Sequence, residues 1–91
     1  MICREVRVTG VVQGVGFRYW AVRTAQSLGL RGWVRNRLDG SVELLVCGSK
    51  DSVESMVREC RRGPSAASVD NVRQSPADCG GEELDGFSVR F

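Results

Sequence analysis

Gly10, Gly14 and Gly16 stand within seven residues of one another in the stretch Val8-Thr9-Gly10-Val11-Val12-Gln13-Gly14-Val15-Gly16-Phe17-Arg18, and an arginine closes it. Glycines let a backbone turn tightly with successive N–H groups pointing inward, and a helix start adds its own unpaired N–H groups and the positive end of its dipole. Such a turn is an anion cradle. Arg18, permanently charged and forked, is suited to grip two oxygens of one phosphate at once. The expected phosphate-binding loop is Gln13, Gly14, Val15, Gly16, Phe17 and Arg18. A Gly-rich turn between strand and helix also arises for steric reasons alone, so the loop by itself leaves both readings open.

Asn36 is the second residue whose type calls for explanation. It lies in Gly32-Trp33-Val34-Arg35-Asn36-Arg37-Leu38-Asp39-Gly40-Ser41-Val42-Glu43, where a strand-like run would favour a β-branched or aromatic residue. Its amide both donates and accepts, and is able to hold a water molecule and an anion oxygen in one geometry. A polar residue flanking a turn is the plainer reading, and position alone does not choose between them.

Several chemistries are excluded by what the chain lacks. There is no histidine, which removes the commonest general base, the usual serine and cysteine triads and most zinc sites. Cys3, Cys47, Cys60 and Cys79 show no C-x-x-C spacing, and none stands six residues before an arginine as a phosphatase cysteine loop requires. No G-x-x-x-x-G-K-[ST] run or carboxylate cluster suggests a nucleotide with magnesium, so neither a metal nor a cofactor is expected. The net charge of +2 is too small to imply nucleic acid. Arg18, Arg23, Arg31, Arg35 and Arg37 lie near the loop in sequence and either lend it a positive field or form a solvated basic face.

The elements that must position these groups follow from hydrophobic periodicity. Arg4 to Val11 alternates, with Val6 and Val8 on one face and Glu5, Arg7 and Thr9 on the other, as in a half-buried strand. Tyr19, Val22, Ala25 and Leu28 recur at helical spacing from Arg18 to Leu28, and Gly29 suits the position just past the helix. Trp20 and Trp33 read as core or rim packing. Leu30 to Leu38 and Ser41 to Cys47 read as strands joined by Asp39-Gly40, a hairpin turn in which both residues would take positive φ. Asp51 and Glu54 fit a capping box, and Val53, Met56, Val57 and Cys60 mark the buried stripe of a second helix that Gly63-Pro64 ends. Ser68 to Gln74 is a weaker strand, Pro76 to Asp85 a polar loop, and Gly86 to Phe91 a short last strand with Phe87, Val89 and Phe91 inward.

The resulting order is β-α-β-β-α-β with a short extra strand at the C-terminal end: an α+β, ferredoxin-like sandwich, its antiparallel sheet covered by both helices on one face. Its 91 residues allow one small domain, 1–91, with a shallow site and no room for a lid. No apolar run approaches a membrane span, and Met1-Ile2-Cys3-Arg4 opens a strand pattern and no signal peptide. A cytoplasmic monomer that binds neither membrane nor nucleic acid is expected.

Both marked stretches resemble the acylphosphatase family. The family pattern G-x-V-Q-G-V-x-F-R is met by Gly10, Val12, Gln13, Gly14, Val15, Phe17 and Arg18, and G-[FYW]-V-x-N-x-x-D-G-x-V-E by Gly32, Trp33, Val34, Asn36, Asp39, Gly40, Val42 and Glu43. The resemblance implies hydrolysis of the carboxyl–phosphate bond in small acyl phosphates, releasing carboxylate and inorganic phosphate by direct attack of water, with no metal or covalent intermediate. It implies that Arg18 and the loop N–H groups bind the phosphoryl group and that Asn36 orients the water. An acyl phosphate carries a good leaving group, so positioning and charge stabilisation suffice and a histidine is not needed.

In a ferredoxin-like sheet the first and third strands are central antiparallel neighbours. Cys3 and Cys47 then face each other on the uncovered side, about 4.5 Å apart if directly opposed in a non-hydrogen-bonded pair, within disulfide reach. Four free thiols are the alternative in a reducing compartment. Cys60 is expected in the core and Cys79 as an exposed loop thiol. Two other functions share this fold: a non-catalytic anion-binding or regulatory module, and an RNA-binding module. The second needs base-stacking aromatics on the central strands, where this chain has Val, Arg, Glu and Leu.

Overall fold

The computed structural model describes residues 1–78 and 84–91; the expected thiol at Cys79 lies outside them. Its elements run β1 (Ile2–Val11), α1 (Phe17–Ser27), β2 (Arg31–Asn36), β3 (Val42–Gly48), α2 (Lys50–Arg62), β4 (Ser68–Pro76) and β5 (Phe87–Val89). The sheet order is β4-β1-β3-β2-β5, the ferredoxin-like arrangement with β1 and β3 at the centre. The four longer strands pair antiparallel, whereas β5 pairs parallel with β2, so the sheet is mixed at that edge. Pro76 is accommodated because β4 is the opposite edge, where a missing N–H disrupts no inner ladder.

Strand alternation decides which side chains meet the helices. Val6, Val8, Val34, Val42, Leu44 and Val46 project to one face and pack with Phe17, Ala21 and Ala25 of α1 and with Val53, Met56, Val57 and Cys60 of α2. Fully burying one such aliphatic side chain contributes roughly 1.5–3 kcal/mol, so this layer is the main source of stability. The other face carries a small cluster of Cys3, Leu45 and Cys47, with Trp33, Ala77 and Leu84 against it. Cys3 is paired with Cys47 in the β1–β3 register, their Cα atoms are 4.1 Å apart, and the two are joined as a disulfide.

Four local expectations are corrected. α1 buries Phe17, Ala21 and Ala25; of the expected stripe, Ala25 is buried and Val22 and Leu28 pack partly buried against the core, whereas Tyr19 is 72% exposed. α2 is capped by Ser49, whose Oγ accepts from the Ser52 N–H at 3.2 Å, and not by Asp51. Phe91 is fully exposed because β5 stops at Val89.

The hairpin tip is the fourth. Only Gly40 takes positive φ there (91°); Asp39 does not. The Gly40 N–H donates to the Arg37 carbonyl at 3.2 Å and the Arg37 N–H to the Ser41 carbonyl at 2.9 Å, so the connection is the longer form, a tight turn followed by a left-handed glycine. Asp39 takes a different part: its Oδ1 accepts from the Ser41 N–H at 2.9 Å and the Ser41 hydroxyl at 2.6 Å. The hydroxyl bond above all, with the backbone bond, holds its carboxyl below the usual range.

Candidate active site

The segment from Val12 to Gly16 crosses from β1 to α1 with Gly14 and Gly16 at φ 74° and 79°. A side chain is disfavoured in that region, which is the physical reason for glycine at both places. Gly16 is the N-cap of α1 and contributes no side-chain cap, and the first turn holds no acidic residue. Its N–H groups and dipole are therefore left to whatever anion occupies the loop.

Val12, Gly14, Gly16, Phe17, Arg18, Tyr19 and Asn36 together line a cavity of about 200 Å³. That is several times the roughly 30 Å³ share of one water molecule, enough for a small tetrahedral anion with a water beside it. Arg18 has no Asp or Glu partner among the described residues, and its guanidinium lies 5.4 Å from the centre of the Phe91 ring. A cation over an aromatic face is restrained without being neutralised, so its charge stays available to an anion.

Asn36 ends β2 on the same side of the sheet as Val34, the side that faces the loop. Its Oδ1 is buried and accepts no hydrogen bond from any described protein group. A buried carbonyl without a donor costs free energy unless something else supplies one, and in this cavity a water molecule is the natural donor.

The side chains flanking Asn36 point to the opposite face of the sheet, where they hold the strand. Arg35 Nε donates to Glu43 Oε1 at 2.7 Å and Arg37 Nη1 to the same oxygen at 3.0 Å, with Arg7 Nη2 3.5 Å from Oε2. Burial alone would push the Glu43 carboxyl up, but the hydrogen bonds from Arg35 and Arg37, with their charges, outweigh it and hold the group below its ordinary value. From the loop side, the Gln13 amide donates through Nε2 to the carbonyls of Arg37 and Ser41, both at 2.8 Å.

Of the expected site residues, Gly14, Gly16, Phe17, Arg18 and Asn36 are brought together at the cavity; Val15 packs partly buried against the core, and Gln13 turns its side chain to the hairpin. Of the five arginines near the loop in sequence only Arg18 lines its cavity, although Arg35 and Arg37 share an adjoining hollow with Asn36 and Phe91. Arg35 and Arg37 are engaged with Glu43, Arg23 lines a separate hollow beside Arg62 and Pro64, and Arg31 is exposed on β2. Glu43 and the Gln13 side chain were missed as contributors. Glu43 was within reach of sequence reasoning, since a Gly40-centred hairpin sets Arg35 directly across from it; Gln13 was not, because its partners lie 24 and 28 residues away.

Comparison with known proteins gives the same outline. A family model described as Acylphosphatase matches residues 4–89. The chain belongs to the acylphosphatase family. It is 52% identical to an acylphosphatase of Nitrobacter hamburgensis over 90 residues, covering 99% of this chain and 91% of that one. Among solved structures it is similar to the acylphosphatase of Bacillus subtilis (34% identity, TM-score 0.93, all of both chains) and to that of Coxiella burnetii (39% identity, TM-score 0.91, 98% of this chain and 92% of that one). The activity is acylphosphatase activity, the hydrolysis of acyl phosphates. Among the described residues no helix is long and apolar enough to cross a membrane.

Proposed function

We propose that the chain, acting as one domain over residues 1–91, hydrolyses small acyl phosphates by direct attack of water on phosphorus, with Arg18 and Asn36 as its catalytic residues. The observation that carries this reading is the shared cavity: among the described residues, a guanidinium with no carboxylate partner and a buried amide oxygen with no donor, from elements distant in sequence, line it beside the same uncapped helix start.

The substrate's phosphoryl oxygens take hydrogen bonds from the N–H groups of Gln13 to Arg18 and from the Arg18 guanidinium. As the transition state forms, charge grows on those oxygens and the same donors hold it more strongly. Asn36 Oδ1 accepts from the attacking water and aims its lone pair at phosphorus. The oxygen–phosphorus bond forms as the bond to the acyl oxygen breaks, the carboxylate leaves with that electron pair, and the water's proton passes to a phosphoryl oxygen. Neither a metal nor an organic cofactor enters the step.

The protein works in this reading as a cytoplasmic monomer without nucleic acid partners, its ligands being the acyl phosphate and inorganic phosphate. Hydrolysis in water enriched in heavy oxygen tests the step itself. Attack on phosphorus puts the label in the phosphate; label found in the carboxylate refutes it.

A further inference from the structure

We propose that Gln13 is a positioning residue for the attacking water: its side-chain amide sets the spacing between the phosphate loop and Asn36. The inference rests on the roles given above to Arg18 and Asn36. In-line attack requires that the anion, held by the loop, and the water, held by Asn36, meet at a fixed separation. The loop belongs to the β1–α1 connection and Asn36 to the end of β2, so their separation depends on whatever ties the two segments together.

Gln13 makes that tie. It stands between Val12 and Gly14, both of which line the cavity, and it reaches across to the residue directly after Asn36. Both hydrogens of its amide are used, one on the Arg37 carbonyl and one on the Ser41 carbonyl, each at 2.8 Å. The two carbonyls belong to the hairpin's closing pair and also accept from the Gly40 and Arg37 N–H groups at 3.2 and 2.9 Å. Gln13 thus grips the hairpin at the point where its backbone is already most constrained, and a shift of the loop carries the tip with it. Glutamate, of equal size, has no hydrogen to donate when ionised, and methionine has none at all.

Loss of the tie displaces water from anion without removing a ligand of either. Gln13→Met should lower kcat about 10- to 100-fold, as expected for a misplacement on the order of 1 Å, while inhibition by inorganic phosphate shifts by less than about 3-fold. The decisive readout is coupling to Asn36: in an Asn36→Ala background, where no aimed water remains to be misplaced, adding Gln13→Met should change kcat by less than about 2-fold. Gln13→Glu, which loses both donors and also adds a negative charge beside the anion site, should lower kcat at least as far and weaken phosphate inhibition more, with folding checked by circular dichroism. One measurement needs no variant. In the wild-type protein the Gln13 side-chain amide hydrogens should exchange with solvent more slowly than those of Gln26 and Gln74, both of which are exposed.

A folded Gln13→Met enzyme with wild-type kcat, a penalty that persists in full beside Asn36→Ala, or Gln13 hydrogens that exchange as fast as the two exposed glutamines would each overturn the role of Gln13. If Asn36→Ala alone keeps wild-type kcat, the reading of Asn36 falls and this one with it. The two failures are thereby told apart.

Discussion

Replacing Glu43 by glutamine keeps the shape of the side chain and removes the charge that three arginines converge on. The Glu43 side chain is 6% exposed, and its carboxylate accepts charged hydrogen bonds at 2.7 and 3.0 Å. Hydrogen bonds to charged groups contribute about 1.5–3 kcal/mol each. The guanidiniums of Arg35 and Arg37, with side chains 39% and 36% exposed, recover water when the partner is lost, so the combined penalty is discounted to about 2 kcal/mol. For a domain of this length that corresponds to a fall in Tm of roughly 10 °C. The pH dependence has a definite sign. The Glu43 carboxyl is held below its ordinary value of 4.5 in the folded protein, so its stabilisation is fully present above the unfolded value and is lost as pH falls through the folded one. Thermal unfolding of wild type and Glu43→Gln, followed by far-UV circular dichroism from about pH 7 down to about pH 2, should show a Tm gap that closes in acid. A gap under about 2 °C at neutrality, or one that stays constant into acid, refutes the claim that the carboxylate's charge holds β2 and β3 in place.

Arg18→Ala should weaken inhibition by inorganic phosphate and lower kcat by about 100-fold or more, because the guanidinium meets the phosphoryl oxygens both before and during the reaction; Arg18→Lys should recover little, lacking the fork. With no histidine in the chain, kcat/KM corrected for substrate ionisation should show no enzyme-borne inflection near neutrality, and a sharp one would count against proton transfer to the substrate's own phosphate. Cys3→Ala opens a disulfide spanning 44 residues and should cost roughly 4 kcal/mol by the chain-entropy relation, read as a lower denaturant midpoint under non-reducing conditions. Burial pushes the Cys60 thiol up to about 12, so it should resist alkylation in the native protein and react only after unfolding.

Much of this architecture was legible in the residues, for reasons that can be named. A period of two in Arg4 to Val11 and around Asp39-Gly40 leaves little freedom about which strands pair, and once β1 and β3 are central neighbours Cys3 and Cys47 fall close together on one face, where the observed register sets them opposite. The stripe Val53, Met56, Val57 and Cys60 is apolar enough to define its helix face without help. What failed was decided by tertiary geometry. Phe17, Ala21 and Ala25 and the set Tyr19, Val22, Ala25 and Leu28 both satisfy helical spacing; the sheet takes the first set in full and Val22 and Leu28 at its margin, which leaves Tyr19 outside. Asp39-Gly40 permits two turn lengths, and the Asp39 bonds to Ser41 accompany the longer. Within the site, Arg18 and Asn36 were singled out by residue type, yet their sharing of one cavity depends on how far the hairpin tip reaches toward the loop. That reach is where Gln13 acts, through partners no local pattern could reveal.

The most direct test of the central claim is hydrolysis of benzoyl phosphate by purified protein in excess chelator, wild type beside Asn36→Ala, with circular dichroism confirming that both are folded. The account predicts wild-type turnover that survives the chelator and a kcat lowered by about 100-fold or more in the variant, with KM little changed. Wild-type turnover that vanishes with the chelator, or a folded Asn36→Ala enzyme as fast as wild type, would contradict it.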